Sequence, residues 1–226
     1  MTIGIILAKA YSSRLKNKNF RTFHGKPMIS WTIQTAIKSK LFDKIIVSTD
    51  EKKIINIFNK FNIEFVLRPK ELSKEKYGID EVMKYTIKKL NYNYKYACCL
   101  FPSAPLLSHV DLIKGLKKIK KFNYNYVFAA SNFSHPIERS FKINNKKIKM
   151  VFSKRYMQYS SKFLSDTYYD TGYFYWAKTS TWRNKFFNYN NNTSIIKIPN
   201  WRAQDIDTKD DLKKTDLLFK SLKKKL

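Results

Sequence analysis

"KYACCLF", residues 95–101, runs without a polar break from Tyr96 to Phe101. A strand with one wet face alternates apolar and polar residues, whereas one covered on both faces does not need to. The stretch therefore predicts a strand inside a mostly parallel sheet, with helices on either side. Its neighbours fit that reading. Upstream, Ile3 to Leu7 forms a second apolar strand and "KIIVSTD", residues 44–50, a third. Ile29, Ile33, Ala36 and Ile37 fall on one helical face behind Pro27, a residue suited to a first helical turn. A helix is predicted over about 51–61, a short strand at "EFVL", and a helix from about Asp80 to Leu90. Downstream, Ser108 can cap a helix over 109–121, and "YVFAAS", residues 126–131, is the next strand. Strands alternating with helices predict right-handed crossovers in an α/β fold.

The alternation breaks over about 132–180. "SFKINNKKIKMVF" reads as a hairpin turning at Asn144 and Asn145, and "YYDTGYFYWAK" as an aromatic strand with one glycine. A strand near Ile195 to Ile198 and a helix from about Thr208 complete the chain, and "SLKKKL" reads as a solvated tail. A length of 226 residues suits one domain, residues 1–226, with 132–180 as a small β-rich excursion.

Lys and Arg total 45 against 17 Asp and Glu, a formal charge of +28. Such a balance invites a nucleic-acid partner. The lysines, however, recur along nearly the whole chain instead of forming one stripe, and no nucleic-acid partner is expected. Cys98 and Cys99 are the two cysteines, adjacent in an apolar run, which excludes a disulfide framework. The start "MTIGIILAKAY" lacks the charged region of a signal peptide, and no apolar run approaches the ~18 residues needed to span a bilayer. A cytoplasmic protein with no membrane partner is expected.

Ligands of open parallel sheets bind beyond the carboxyl ends of the strands. Polar clusters fall there: Lys9 to Asn19, Ser48 to Asp50, Pro102 to Pro105, and Gln204 to Asp207. Lys9, Ser12, Ser13, Arg14 and Lys18, with backbone N–H groups, suit a triphosphate. It is not a P-loop, because no G-x-x-x-x-G-K-[ST] occurs. Asp205 and Asp207 flank Ile206, so on an extended segment their carboxylates share a face, as a Mg²⁺ site requires. Alternatively Asp207 caps the last helix, or Thr208 and Asp211 form a capping box. Asp50 has a helix cap as its plain role.

The order of these clusters resembles the CMP-sugar synthetases, cytidylyltransferases that activate sialic-acid-like sugars. "AKAYSSRLKNKN" resembles the family's A-R-x-G-S-x-R-x-x-x-K-N, and "GKPMISWTI" its G-K-P-L segment. "FDKIIVSTD", "LRP", "FPSAPL" and "RAQDIDTKDDL" resemble four later elements, over about 210 residues in all. Lys9 stands where the family has Arg, which keeps charge but loses the bidentate fork. Ala10-Tyr11 replaces the family's turn glycine. Phe101, "HPIERSF", "YDTGYFYW" and "IPNWRAQDID" resemble the pseudaminic acid branch. The resemblance implies a Rossmann-like nucleotidyltransferase fold and a homodimer joined through the excursion. It implies CTP plus a nine-carbon sugar acid giving CMP-sugar and pyrophosphate, with Mg²⁺ on Asp205 and Asp207. Lys9, Lys18 and Asp207 would be catalytic. Ala8, Lys9, Ser12, Ser13, Arg14, Lys18, Asn19, Arg68, Phe101 and Ser103 would bind nucleotide; Arg139, Asp170, Tyr173, Tyr175 and Gln204 would bind sugar. CMP-legionaminic, N-acylneuraminic and KDO synthetases are the alternatives. A basic nucleic-acid-binding module and an inactive relative, both on a degenerate transferase fold, are the readings from other classes.

Overall fold

A computed structural model describes residues 1–52, 55, 61, 63–74, 76–90, 93–184, 187–190 and 192–223. Most of the helix predicted over 51–61 lies outside them. Strands β1 (Thr2–Ala8), β4 (Lys44–Thr49), β5 (Glu64–Leu67) and β6 (Tyr96–Leu100) run parallel, with β1 between β6 and β4, and β5 beyond β4. Between β1 and β4 lie the two-residue strands β2 (Thr22–Phe23) and β3 (Lys26–Pro27), which pair antiparallel. Strand β7 (Tyr126–Asn132) pairs parallel with β11 (Thr193–Lys197).

All five residues of β6 are buried. Tyr96, Cys98 and Leu100 face one core, shared with α1 (Met28–Ser39), α3 (His109–Phe122) and α5 (Lys209–Lys223). Ala97 and Cys99 face the other, with α2 (Ile79–Lys89) and α4 (Thr179–Asn184). The unbroken apolar run thus has a layer on each face, as its sequence demands. Ser108 caps α3: its Oγ accepts from the Val110 N–H at 3.3 Å, and Asp111 accepts from the Ser108 N–H at 3.2 Å.

Two expectations need correction. The aromatic strand β10 (Tyr168–Lys178) does not belong to the excursion; it lies in the main sheet, antiparallel, between β6 and β7. The sheet order is β11-β7-β10-β6-β1-β4-β5. Spacing reports which faces of a strand are covered and not which way it runs. The register slips between Asp170 and Tyr175, where Gly172 takes φ +63°, a left-handed value that suits glycine. The excursion therefore occupies 133–167. Its hairpin, β8 (Phe141–Asn144) and β9 (Lys147–Met150), turns one residue later than expected, at Asn145 and Lys146 with φ of 48° and 64°. A two-residue turn with both central φ values positive matches the twist of paired strands. No helix of the described residues is long and apolar enough to cross a membrane.

Candidate active site

Strands β1, β4, β5 and β6 end at one rim, and the segments that follow β1, β5 and β6 line a cavity of about 440 Å³ there. The first segment leaves buried Ala8 and is pinned by Leu15, 3% exposed, so that Ser12, Lys18 and Asn19 turn to the cavity. Asn17, at φ 54°, makes the bend inside it. The Arg68 guanidinium, after β5, donates to Ser48 O at 2.5 Å and to Ser73 Oγ at 3.3 Å. Burial lowers its pKa, and the charge of Asp50 opposes that shift. Phe101 and Ser103, after β6, form another wall.

The acidic pair arrives from the far end of the chain. Ala203 and Ile206 are buried, 6% and 0% exposed, and this anchoring leaves Asp205 and Asp207 on the cavity side. Lys18 Nζ lies 3.0 Å from Asp207 Oδ1 and 4.0 Å from Asp205 Oδ1, and Arg14 Nη1 lies 2.8 Å from Asp207 Oδ2. Groups some 190 residues apart in sequence thus share one cavity. Partial desolvation raises the Asp205 pKa above the ordinary aspartate value; Lys18 opposes the shift and Asp207 adds to it. The helix cap is Thr208, not Asp207: the Asp211 N–H donates to Thr208 Oγ1 at 3.2 Å, and the Thr208 N–H donates to Asp211 Oδ2 at 2.8 Å. Asp207 is left to face the cavity.

Two buried atoms in the wall, Ser12 Oγ and Asn19 Oδ1, have no hydrogen-bond partner among the described residues. An orphaned buried polar atom costs free energy unless a ligand or water satisfies it, so both point to a polar occupant. Two carboxylates beside cationic side chains also suit a hard divalent cation that takes its remaining oxygens from phosphate and water. No cluster of three or more His, Cys, Asp or Glu stands among the described residues to form an all-protein metal cage.

Lys9, Ser12, Ser13, Arg14, Lys18, Asn19, Arg68, Phe101, Ser103, Asp205 and Asp207 all line this cavity. Ala8 closes β1 inside the core. The five residues assigned to the sugar do not line it. Arg139 sits on the excursion, donating to Tyr159 O at 2.6 Å. Tyr175, itself buried, donates to half-buried Asp170 behind Phe101, whose ring centroid is 5.8 Å from that of Tyr175. Burial raises the pKa of both partners. The Tyr173 hydroxyl donates to Arg202 O and accepts the Gln204 N–H at 3.1 Å. The Gln204 amide donates to Asp205 O at 2.7 Å and Asp211 Oδ1 at 3.1 Å.

Sequence reading missed Ser73, Lys74, Tyr77 and Ile79, which complete the cavity from the stretch after β5 and the first residue of α2. No periodicity or turn signal marks such a wall. It also missed the use of Asp50, whose Oδ1 accepts the Ala10 N–H at 2.8 Å. The acidic residue ending "VSTD" on a strand was the available signal.

A family profile described as Cytidylyltransferase matches residues 3–224. Pseudaminic acid cytidylyltransferase of Campylobacter jejuni is 32% identical over 220 residues, covering 96% of this chain and 95% of that one. N-acylneuraminate cytidylyltransferase of Escherichia coli is 32% identical over 115 residues, 51% of this chain and 27% of that one. Among solved structures, a CMP:2-keto-3-deoxy-manno-octonic acid synthetase complexed with CTP superposes with a TM-score of 0.73 at 14% identity, covering 100% of this chain and 99% of that one. At that identity the likeness is one of fold. The profile and the first relative both extend over nearly the whole chain: it belongs to the cytidylyltransferase family and is a nucleotidyltransferase.

Proposed function

We propose that the enzyme transfers CMP from CTP to a nonulosonic acid, with pseudaminic acid as the preferred sugar, releasing pyrophosphate. The observation that carries this reading is the meeting of Lys18 and Arg14 with Asp205 and Asp207 in a cavity that also holds two orphaned polar atoms. The relative named for pseudaminic acid, aligned end to end, supports the choice of sugar.

The anomeric hydroxyl attacks the α-phosphorus in line, losing its proton to solvent, as the bond to pyrophosphate breaks. Lys9, Arg14 and Lys18 offset the charge that gathers on the leaving oxygens. Ser12 and Ser13 hold the triphosphate, and Asn19, Arg68, Phe101 and Ser103 hold the nucleoside. Asp205 and Asp207 would hold Mg²⁺, which supplies Lewis-acid polarisation of the phosphate oxygens. Positioning does the remaining work, and no covalent enzyme intermediate is needed.

The excursion exposes Phe141, Ile143, Ile148 and Phe163, which are 53%, 67%, 69% and 74% accessible. We assign this face to a homodimer that carries Arg139 towards the sugar acid of the other copy. Sedimentation at twice the chain mass is expected, and a monomer at micromolar concentration would remove the assignment. Free, buried Cys98 and Cys99 suit a reducing cytoplasm.

The decisive experiment is pyrophosphate release with Mg²⁺, each nucleoside triphosphate in turn, and pseudaminic, legionaminic, N-acetylneuraminic and 2-keto-3-deoxy-manno-octonic acids. Release with CTP and pseudaminic acid is expected to exceed the other pairs at least about tenfold. Release with none of them sinks the reading.

A further inference from the structure

The first turn is built without the glycine that such turns commonly use. Neither Ala10 nor Tyr11 is among the described residues with positive φ. A backbone of this kind needs no glycine, and its path can be set by the hydrogen bonds its peptide groups make. Two side chains hold it. Asp50 Oδ1, just beyond β4, accepts the Ala10 N–H at 2.8 Å, and Asn19 Nδ2 donates to Lys9 O at 2.8 Å.

Those two backbone groups belong to the same peptide unit. In a trans peptide the N–H and the C=O point in opposite directions from one rigid plane, so the two bonds grip that plane at both ends. Rotation of the Lys9–Ala10 peptide would break both at once. The grip also passes through to Asn19. With its NH₂ committed to Lys9 O, its amide cannot turn over, and the orphaned buried Oδ1 is presented as an acceptor.

We infer that Asp50 is a positioning residue of the nucleotide loop: it fixes the Lys9–Ala10 peptide, and through it the orientation of Asn19 at the cavity wall. One carboxylate just beyond β4 therefore fixes the loop after β1. The inference deepens the proposed CTP site and rests on it for its functional effect, not for its structural one.

The test uses three full-length variants and two measurements, CTP binding with Mg²⁺ and hydrogen exchange of the Ala10 amide. Asp50→Ala removes the acceptor and is expected to weaken CTP binding about tenfold, the scale of losing one hydrogen bond. Its Ala10 amide should exchange at least about tenfold faster than in the wild type. Asp50→Asn keeps an acceptor in place without the charge and should stay within about threefold of wild type in both. Asp50→Glu keeps the charge but displaces the acceptor by a methylene, and should behave like Asp50→Ala; it serves equally if the alanine variant does not fold. Asp50→Glu near wild type with Asp50→Asn impaired would assign the effect to charge alone and overturn the inference. So would an Ala10 amide that exchanges as fast in the wild type as in the alanine variant. Failure of the wild type to bind CTP overturns the proposed function instead, and the exchange data then judge the peptide clamp separately.

Discussion

Asp207→Ala is expected to lower CTP-dependent turnover at least about 100-fold, the scale of losing one preorganised electrostatic group, while the protein stays folded. The carboxylate is the hub of the site, 2.8 Å from Arg14 and 3.0 Å from Lys18. The helix behind it is capped by Thr208 and does not need it. Its side chain is only 26% exposed, yet it lines a cavity, so deletion enlarges that space without opening the core. Deletion also leaves two cations with one fewer anion between them. The KM for CTP should therefore hold or fall while kcat collapses. That split separates a lost stabiliser of the reaction from a lost binding contact. Steady-state kinetics over a range of CTP and Mg²⁺, with a melting curve as control, make the measurement. Near-normal turnover would remove the metal assignment.

The pair of aspartates was legible because the signal is local. Alternation about Ile206 puts two carboxylates on one side of an extended segment, whatever lies elsewhere. The strands "KYACCLF" and "YVFAAS" and the cap at Ser108 were legible for the same reason. Strand β10 was readable as a strand but not as a member of the main sheet, because its direction depends on partners far away in sequence. The turn at Asn145 and Lys146 was displaced by one residue because asparagine advertises a left-handed conformation and lysine does not. The residues that the resemblance assigns to the sugar carry no local signal of their own. Tyr173 and Tyr175 stand two apart on one strand, a spacing that serves a core as readily as a pocket, and both are buried, at 1% and 5% exposure. Asp50 was visible as an acid at a strand end. Its partner, one N–H forty residues earlier, was not.

A second large effect is expected at Asp111, which none of the family-like stretches contains. Arg202 meets Asp111 through Nη1 at 2.5 Å and Nη2 at 3.0 Å, with the two side chains 13% and 6% exposed. This two-point contact ties the start of α3 to the segment that delivers Asp205 and Asp207. Asp111→Ala leaves the largely buried guanidinium without a counter-charge and with only Leu106 O, at 3.3 Å, as acceptor among the described residues, which costs ~3 kcal/mol. For a chain of this size that is a fall of about 10 °C in Tm. Losing the Ser108 cap alone would cost about 1 kcal/mol, so the two effects are separable. Turnover should fall as well, since Arg202 O receives the Tyr173 hydroxyl and the acidic segment starts just beyond it. Replacing both partners with apolar residues, Asp111→Leu with Arg202→Met, should recover most of the stability, because no buried charge is then left alone. A melting midpoint for Asp111→Ala within about 3 °C of wild type would show that the pair adds little.

The reversed strand has an architectural consequence. Because β10 runs against its neighbours, the chain leaves β7 and re-enters β10 at one point, where Asn132 pairs with Tyr168 and the Phe133 N–H donates to Thr167 O at 3.1 Å. Everything from 133 to 167 hangs from this closed neck like a cassette. Loop-closure entropy rises by only about 0.6 kcal/mol for each doubling of length. Such a segment can be lengthened, shortened or grafted while the strands that carry the reaction keep their register.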